Sequence, residues 1–135
     1  MTVQTFLPYP DFAASLRALD YRRLGKQRVE CVQLLNALRG KTKGWANHPA
    51  AKMWRGYEPA LEHYMNLAIK EWVSRGYNNT MPFAKVGSTP DLPEWFGDDA
   101  FHRAHQSNLL RKDPVYYGPK FPGVPDNLPY IWPVP

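Results

Sequence analysis

Cysteine is nearly absent from this 135-residue chain. Cys31 stands alone, so no internal disulfide framework can staple the fold, and a reducing compartment suits it. Long apolar runs are missing too. No stretch approaches the roughly 18 apolar residues of a membrane span, and the opening MTVQTFLPYPDF lacks the basic start and apolar centre of a secretory signal. A cytoplasmic protein is the expectation, with no membrane partner. There are no repeats and no convincing two-residue alternation of the kind a half-buried strand shows. Neither a nucleotide-binding glycine loop, a Ser-centred elbow nor an H-E-x-x-H zinc motif is present.

What is present is enough for a core. Apolar residues make up 44% and aromatics 14%, which excludes disorder by composition even though the mean hydropathy is −0.53. The length fits one domain over 1–135, expected to act as a monomer. A net charge of +5 favours an anionic partner, most simply nucleic acid.

Asp11 follows Pro10 as an N-cap, and the pattern predicts a short helix over the next residues. A second helix is expected from about Asp20 to Leu38, with Leu24, Cys31, Leu35 and Leu38 as its apolar stripe and Arg39-Gly40 as its stop. Cys31 lies on that stripe and reads as a small core residue. After a Gly- and Pro-punctuated loop at 41–49, helical spacing returns from about Ala50 to Arg75, with a break marked by Gly56 and Pro59. A further helix is capped by Asp98 or Asp99 and runs to about Leu110. The last 23 residues hold seven of the fourteen prolines and read as an irregular arm over 113–135, neither helix nor central strand. Its five aromatics imply that the arm packs on the body. The expected fold is all-α, of three to four helices, wrapped by that arm.

The stretch LDYRRLGKQRVECVQLLNAL, residues 19–38, places Arg22, Arg23, Lys26 and Arg28 within seven positions. Arg22, Arg23 and Lys26 share roughly one helix face, away from the apolar stripe. Cations at a helix N-terminus oppose the macrodipole by about 0.3–1 kcal/mol each when exposed. A solvated surface would explain their presence; contact with phosphate explains both their sign and their position. Glu30 is the acid on this face, where neighbouring cations favour its ionised form.

GWANHPAAKMWRGYE (44–58) interleaves Trp45, Trp54 and Tyr57 with Lys52, Arg55 and His48. Such a mixture suits stacking on an unpaired base, and Trp54 suits a core position equally well. Residues 105–121 repeat the mixture, with Lys112 beside Tyr116 and Tyr117. His102 and His105 form an H-x-x-H, but no cysteine lies near them. Hydrogen bonding or phosphate contact by His102, His105, Gln106 and Ser107 is the reading, with no metal and no cofactor expected.

QTFLPYPDF (4–12), LDYRRLGKQRVE (19–30), GWANHP (44–49), MWRGYE (53–58), EWVSRGY (71–77), FHRAHQSNLLRKDP (101–114) and the closing LPYIWP span nearly the whole chain. Through these the sequence resembles the pyrimidine-dimer DNA glycosylase superfamily, of the phage endonuclease V type, and most closely a bacterial and phage branch of it. The resemblance implies a compact all-α fold that bends DNA and extrudes a base. It implies attack by an N-terminal α-amine on the deoxyribose C1′, here Thr2 once Met1 is removed. It also implies a glutamate on the second helix that stabilises the sugar cation, with cations matching Arg22 and Lys26 holding DNA. The sequence departs at Arg23, which occupies the place of that glutamate, while Glu30 lies two turns on. The expected catalytic set is therefore Thr2, Glu30 and His48. The expected DNA contacts are Arg22, Arg23, Lys26, Trp45, Trp54, His102, His105, Gln106, Lys112, Tyr116 and Tyr117. A non-catalytic nucleic-acid-binding module and an enzyme acting on a modified nucleotide, with Glu30, His48 and His105 as acid and base groups, are the alternatives.

Overall fold

A computed structural model describes residues 5–41, 48–86 and 90–133. Among them are six helices and no strands: α1 (Phe12–Ala18), α2 (Tyr21–Leu38), α3 (Pro49–Lys52), α4 (Glu58–Ser74), α5 (Asp99–Lys112) and α6 (Pro114–Tyr117). The architecture is all-α, as the spacing predicts. Asp11 caps α1 through its carboxylate, which accepts from the Ala14 N–H at 2.8 Å. The helix expected from Ala50 to Arg75 is two helices, because Gly56 takes φ +88° between them, a conformation that strains any residue with a Cβ. The arm holds a turn of helix, α6, contrary to the expectation that it would have none. Pro114 stands at its first position, where a proline forfeits no hydrogen bond.

The long helices α2 and α4 pack on each other most extensively, and α1 lies across α4. Their interface is filled by Leu24, Cys31, Leu34 and Leu35 from α2 and by Leu61, Tyr64, Met65, Ala68 and Ile69 from α4, all buried. Gly25 lets the two helices close up: a Cβ there would meet the Trp72 ring at 3.0 Å. The Cys31 thiol is buried within this layer, and that burial pushes its pKa up, so it is a packing residue. The arm joins the same core through Tyr117 and Phe121, whose rings stack with centroids 5.8 Å apart.

The segment from Thr5 to Tyr9 is irregular and largely buried, and no strand lies beside it among the described residues. Its polar backbone groups therefore need other partners, and side chains supply them. The Phe6 N–H donates to Gln27 Oε1 (2.9 Å). The Leu7 N–H donates to His105 Nδ1 (3.0 Å), and Leu7 O lies 2.7 Å from His102 Nδ1. Pro8 O accepts from Gln106 Nε2 at 2.7 Å, and Ser15 Oγ bonds both the N–H and the carbonyl of Tyr9. Trp54 Nε1 donates to Thr5 Oγ1 (3.1 Å).

These bonds fix both imidazoles. His105 Nδ1 accepts from an amide, so the ring proton sits on Nε2. His102 Nε2 accepts from the Gly97 N–H (2.9 Å), so its Nδ1 carries the proton and donates to Leu7 O. Burial lowers the His105 pKa to about 3, with His102 adding to the effect. The unfolded chain, with a histidine near 6.5, binds a proton that the folded chain refuses. The stabilisation is complete above pH 6.5 and is lost as pH falls from 6.5 towards 3, on the order of 5 kcal/mol in all. Unfolding followed by urea titration between pH 7 and 4 should show a slope steeper by about one proton than in His105→Asn, whose amide oxygen can replace the Nδ1 acceptor. Identical slopes in the two proteins would refute the assignment.

Candidate functional site

The first three turns of α2 form one wall of a cleft of about 660 Å³, and the junction of α5 and α6 forms the other. Asp20, Tyr21, Arg22, Arg23, Lys26 and Glu30 line the first wall; Lys112, Asp113 and Tyr116 line the second; Phe6 lines the cleft as well. Positions 22, 23, 26 and 30 recur at helical spacing, so one face of α2 presents them all. Four cations thus meet three carboxylates in a volume suited to a small ligand or one nucleotide.

The arrangement is not a loose cluster. Asp20 precedes α2 as its N-cap, but its side chain makes no capping bond. Instead Asp20 Oδ1 accepts from Arg23 Nη1 (3.1 Å) and from the hydroxyl of the buried Tyr117, while the Asp20 N–H donates back to that hydroxyl at 3.0 Å. Burial alone would raise the Asp20 pKa; the bonds from Tyr117 and Arg23 outweigh it and hold the carboxyl below its ordinary range. Burial, with the Asp20 carboxylate beside it, pushes the Tyr117 hydroxyl up, so it remains a donor. Arg23 is thereby fixed as an ion pair at the cleft wall.

Glu30 stands two turns deeper. Its Oε1 accepts from Gln27 Nε2 (3.2 Å). Gln27 is fully buried, and its Oε1 also takes the Phe6 N–H. The Tyr64 hydroxyl sits 2.5 Å from that same oxygen and 2.8 Å from Phe6 O, two acceptors for its single proton. One amide therefore ties the cleft carboxylate to the segment that carries the N-terminus.

Of the site residues expected from sequence, Arg22, Arg23, Lys26, Glu30, Lys112 and Tyr116 converge on the cleft, and Tyr117 lies directly beneath it through Asp20. Others do not. Trp54 is 0% exposed, so no base can stack on it. His102 and His105 are buried and hold Leu7, and the part-buried Gln106 holds Pro8; all three engage the N-terminal segment, and none lines the cleft. His48 is absent from the cleft lining. It caps α3, its Nδ1 accepting from the Ala50 N–H (3.0 Å), and packs edge-on against Trp132; burial lowers its pKa. Thr2 and Trp45 lie outside the described residues. Arg28, the fourth cation of the basic run, turns away to cover the Trp72 ring at 4.3 Å and to bond Asn79 Oδ1 at 2.7 Å. Phe6, Tyr21, Asp20 and Asp113 line the cleft without having been assigned there. For Asp20 the i, i+3 spacing to Arg23 was the available signal. No group of three or more His, Cys, Asp and Glu suited to a metal occurs among the described residues.

A family model described as pyrimidine dimer DNA glycosylase matches residues 3–85, the stretch that carries the α2 wall, Phe6 and the α2–α4 core. The chain belongs to that family. Neither a curated protein nor a solved structure matches it. Membership implies DNA as the substrate and suggests DNA-repair glycosylase activity. The second cleft wall, from Lys112 to Tyr116, falls beyond the matched stretch. No helix among the described residues is long and apolar enough to cross a membrane.

Two measurements check this geometry. Removing one hydroxyl in Tyr117→Phe leaves the part-buried Asp20 N–H and carboxylate each short of a partner, and urea denaturation should report a loss of about 1–3 kcal/mol. A wild-type midpoint would mean that the Tyr117–Asp20 bonds contribute nothing. If Arg22 and Lys26 each neutralise a phosphate, the plot of log affinity against log salt for duplex DNA should flatten by about 2 in the Arg22→Ala, Lys26→Ala double variant. Fluorescence anisotropy at several salt concentrations measures the slope, and an unchanged slope would take phosphate contact away from this wall.

Proposed function

We propose that the protein excises a damaged or modified base from double-stranded DNA and then cleaves the strand, with the 660 Å³ cleft as its active site. The observation that supports this most is Glu30 lying in a cation-lined cleft that Phe6, from the N-terminal segment, also lines. Residue 2 lies four positions before Phe6, and an extended chain covers at most roughly 3.3–3.6 Å per residue. The α-amine of Thr2, exposed by removal of Met1, is then tethered within roughly 14 Å of the cleft wall. With an ordinary pKa of about 7.7–8.0, an α-amine is partly neutral at pH 7 and nucleophilic.

In this reading Arg22, Arg23 and Lys26 hold the phosphates on either side of the target nucleotide. The amine nitrogen attacks C1′, and the glycosidic bond breaks with its electron pair leaving on the base. Glu30 stabilises the positive charge that develops on the sugar. Loss of the amine protons and opening of the ring oxygen leave an imine, from which strand cleavage follows. An apolar hollow of about 350 Å³, lined by Tyr21, Gly25, Val29 and Trp72, adjoins the cleft and shares Arg22, Lys26 and Glu30 with it. Its apolar floor and cationic rim suit a base turned out of the duplex.

Arg23, in the place where the family resemblance sets an acid, favours a second reading: a DNA-binding module without catalysis. Base release from ultraviolet-irradiated duplex, read by chromatography after photoreversal splits each dimer and frees the excised base, separates the two. Glu30→Gln should lower single-turnover release by about 10²–10⁴-fold while leaving DNA affinity near the wild-type value. Release by neither protein, across several lesion substrates, would favour the binding module.

A further inference from the structure

Position 27 of α2 shares the buried helix face of Leu24, Cys31 and Leu34, yet it carries an amide that is 0% exposed. Burying an amide among apolar side chains costs free energy unless its polar atoms are paired. What its two ends touch therefore shows what the residue is there for. Gln27 Oε1 lies 2.9 Å from the Phe6 N–H, and Nε2 lies 3.2 Å from Glu30 Oε1. Both contacts demand the same orientation of the amide. A backbone N–H can only donate, so the atom before it is the oxygen, and the nitrogen is left to donate to the carboxylate. The Tyr64 hydroxyl, 2.5 Å from Oε1, holds the amide from the side of α4. Turning the side chain over would break its bonds to Phe6, Tyr64 and Glu30 together. Satisfying Phe6 requires only an oxygen at this place; the other end of the amide is spent on the cleft.

We propose that Gln27 is a positioning residue for base excision: its buried Nε2–H holds the Glu30 carboxylate in the orientation that stabilises the sugar cation. This role rests on the base-excision reading and adds the group that directs its carboxylate. Glu30 lines the cleft together with Arg23, Lys26 and Lys112, cations that draw a carboxylate towards several places on the two walls. A glutamate side chain has the rotamers to follow any of them. A bond from a donor that cannot itself move selects one, and a hydrogen bond to an ionised acceptor is about twice as strong as a neutral one. Because the same amide holds Phe6, the carboxylate is positioned against the N-terminal segment and not against the cations. No bond forms or breaks at Gln27 during the reaction; it acts through Glu30 alone.

The test is single-turnover base release by Gln27→Glu, made both in the wild-type chain and in Glu30→Gln. Glutamate keeps an oxygen for Phe6 and Tyr64 but replaces the donor that faces Glu30 with a second carboxylate oxygen. Two carboxyls so close share a proton or repel, which takes from Glu30 either its charge or its place. In the wild-type chain release should fall by about 10²-fold, the loss a displacement of about 1 Å produces, with duplex affinity by anisotropy changed by less than about threefold. In Glu30→Gln the same change should lower release by less than about threefold, because the group that Gln27 positions is already gone. A residue that only supports the fold would lower release by one factor in both chains. That result, or wild-type release by Gln27→Glu, would overturn the role of Gln27 and leave base excision standing. Should Gln27→Glu fail to fold, Tyr64→Phe serves in its place, since it removes one hydroxyl from the amide and keeps the Nε2–H. Its release should fall by about three- to tenfold in the wild-type chain and not at all in Glu30→Gln; equal falls in both would again overturn the role. No release by the wild type across several lesion substrates would overturn the base-excision reading and this role with it.

Discussion

An irregular segment buried in a helical protein must find hydrogen bonds where no neighbouring strand offers them. Thr5 to Tyr9 meets that demand with side chains drawn from α1, α2, α4, α5 and the turn after α3. The rest of the molecule is arranged around this requirement. The two buried imidazoles take opposite tautomers because one must accept from Leu7 and the other must donate to it. Gln27 is a polar residue in the middle of an otherwise apolar helix face because Phe6 needs its oxygen. Since the remaining nitrogen of the same amide reaches Glu30, the anchoring of the segment and the placing of the cleft carboxylate are one structural event.

The charge at the start of α2, unfavourable to the helix on its own, is balanced locally and left usable. Asp20 gives up its capping role to pair with Arg23 and Tyr117. The pairing fixes one guanidinium while Arg22 and Lys26 remain on the cleft wall. Because Tyr117 comes from the arm, the C-terminal stretch takes part in setting up the basic wall as well as covering the core. Arg23 is thus a fixed electrostatic element here, whatever residue the family resemblance leads one to expect at its position.

Helix positions were readable because apolar residues recur at 3.6-residue spacing and because Asp11, Gly40 and Gly76 punctuate them. The basic wall was readable for the same reason: Arg22, Lys26 and Glu30 belong to one helix, and their spacing is local information. Trp54, His102, His105 and Gln106 were not. A tryptophan beside lysines and arginines looks the same in sequence whether it faces a base or the core, and here its indole N–H is spent on Thr5. His105 finds its partner 98 positions away at Leu7, a pairing no local pattern encodes. His48, set in sequence among aromatics and cations, turned out to be a helix cap. The turn of α6 was hidden by a rule applied too widely, since proline forbids helix interiors and not their first residue.

The side chains that hold the N-terminal segment lie at 15, 27, 54, 64, 102, 105 and 106, scattered over most of the chain. In a sheet, the same backbone groups would be satisfied by other backbone groups, and almost any residue could occupy those places. Here each bond depends on the identity of one residue. Drift at these positions is therefore coupled: a change at one can persist only alongside a new donor or acceptor elsewhere. Circular dichroism would hardly register its loss, because the segment that shapes the cleft contributes no helix to the spectrum.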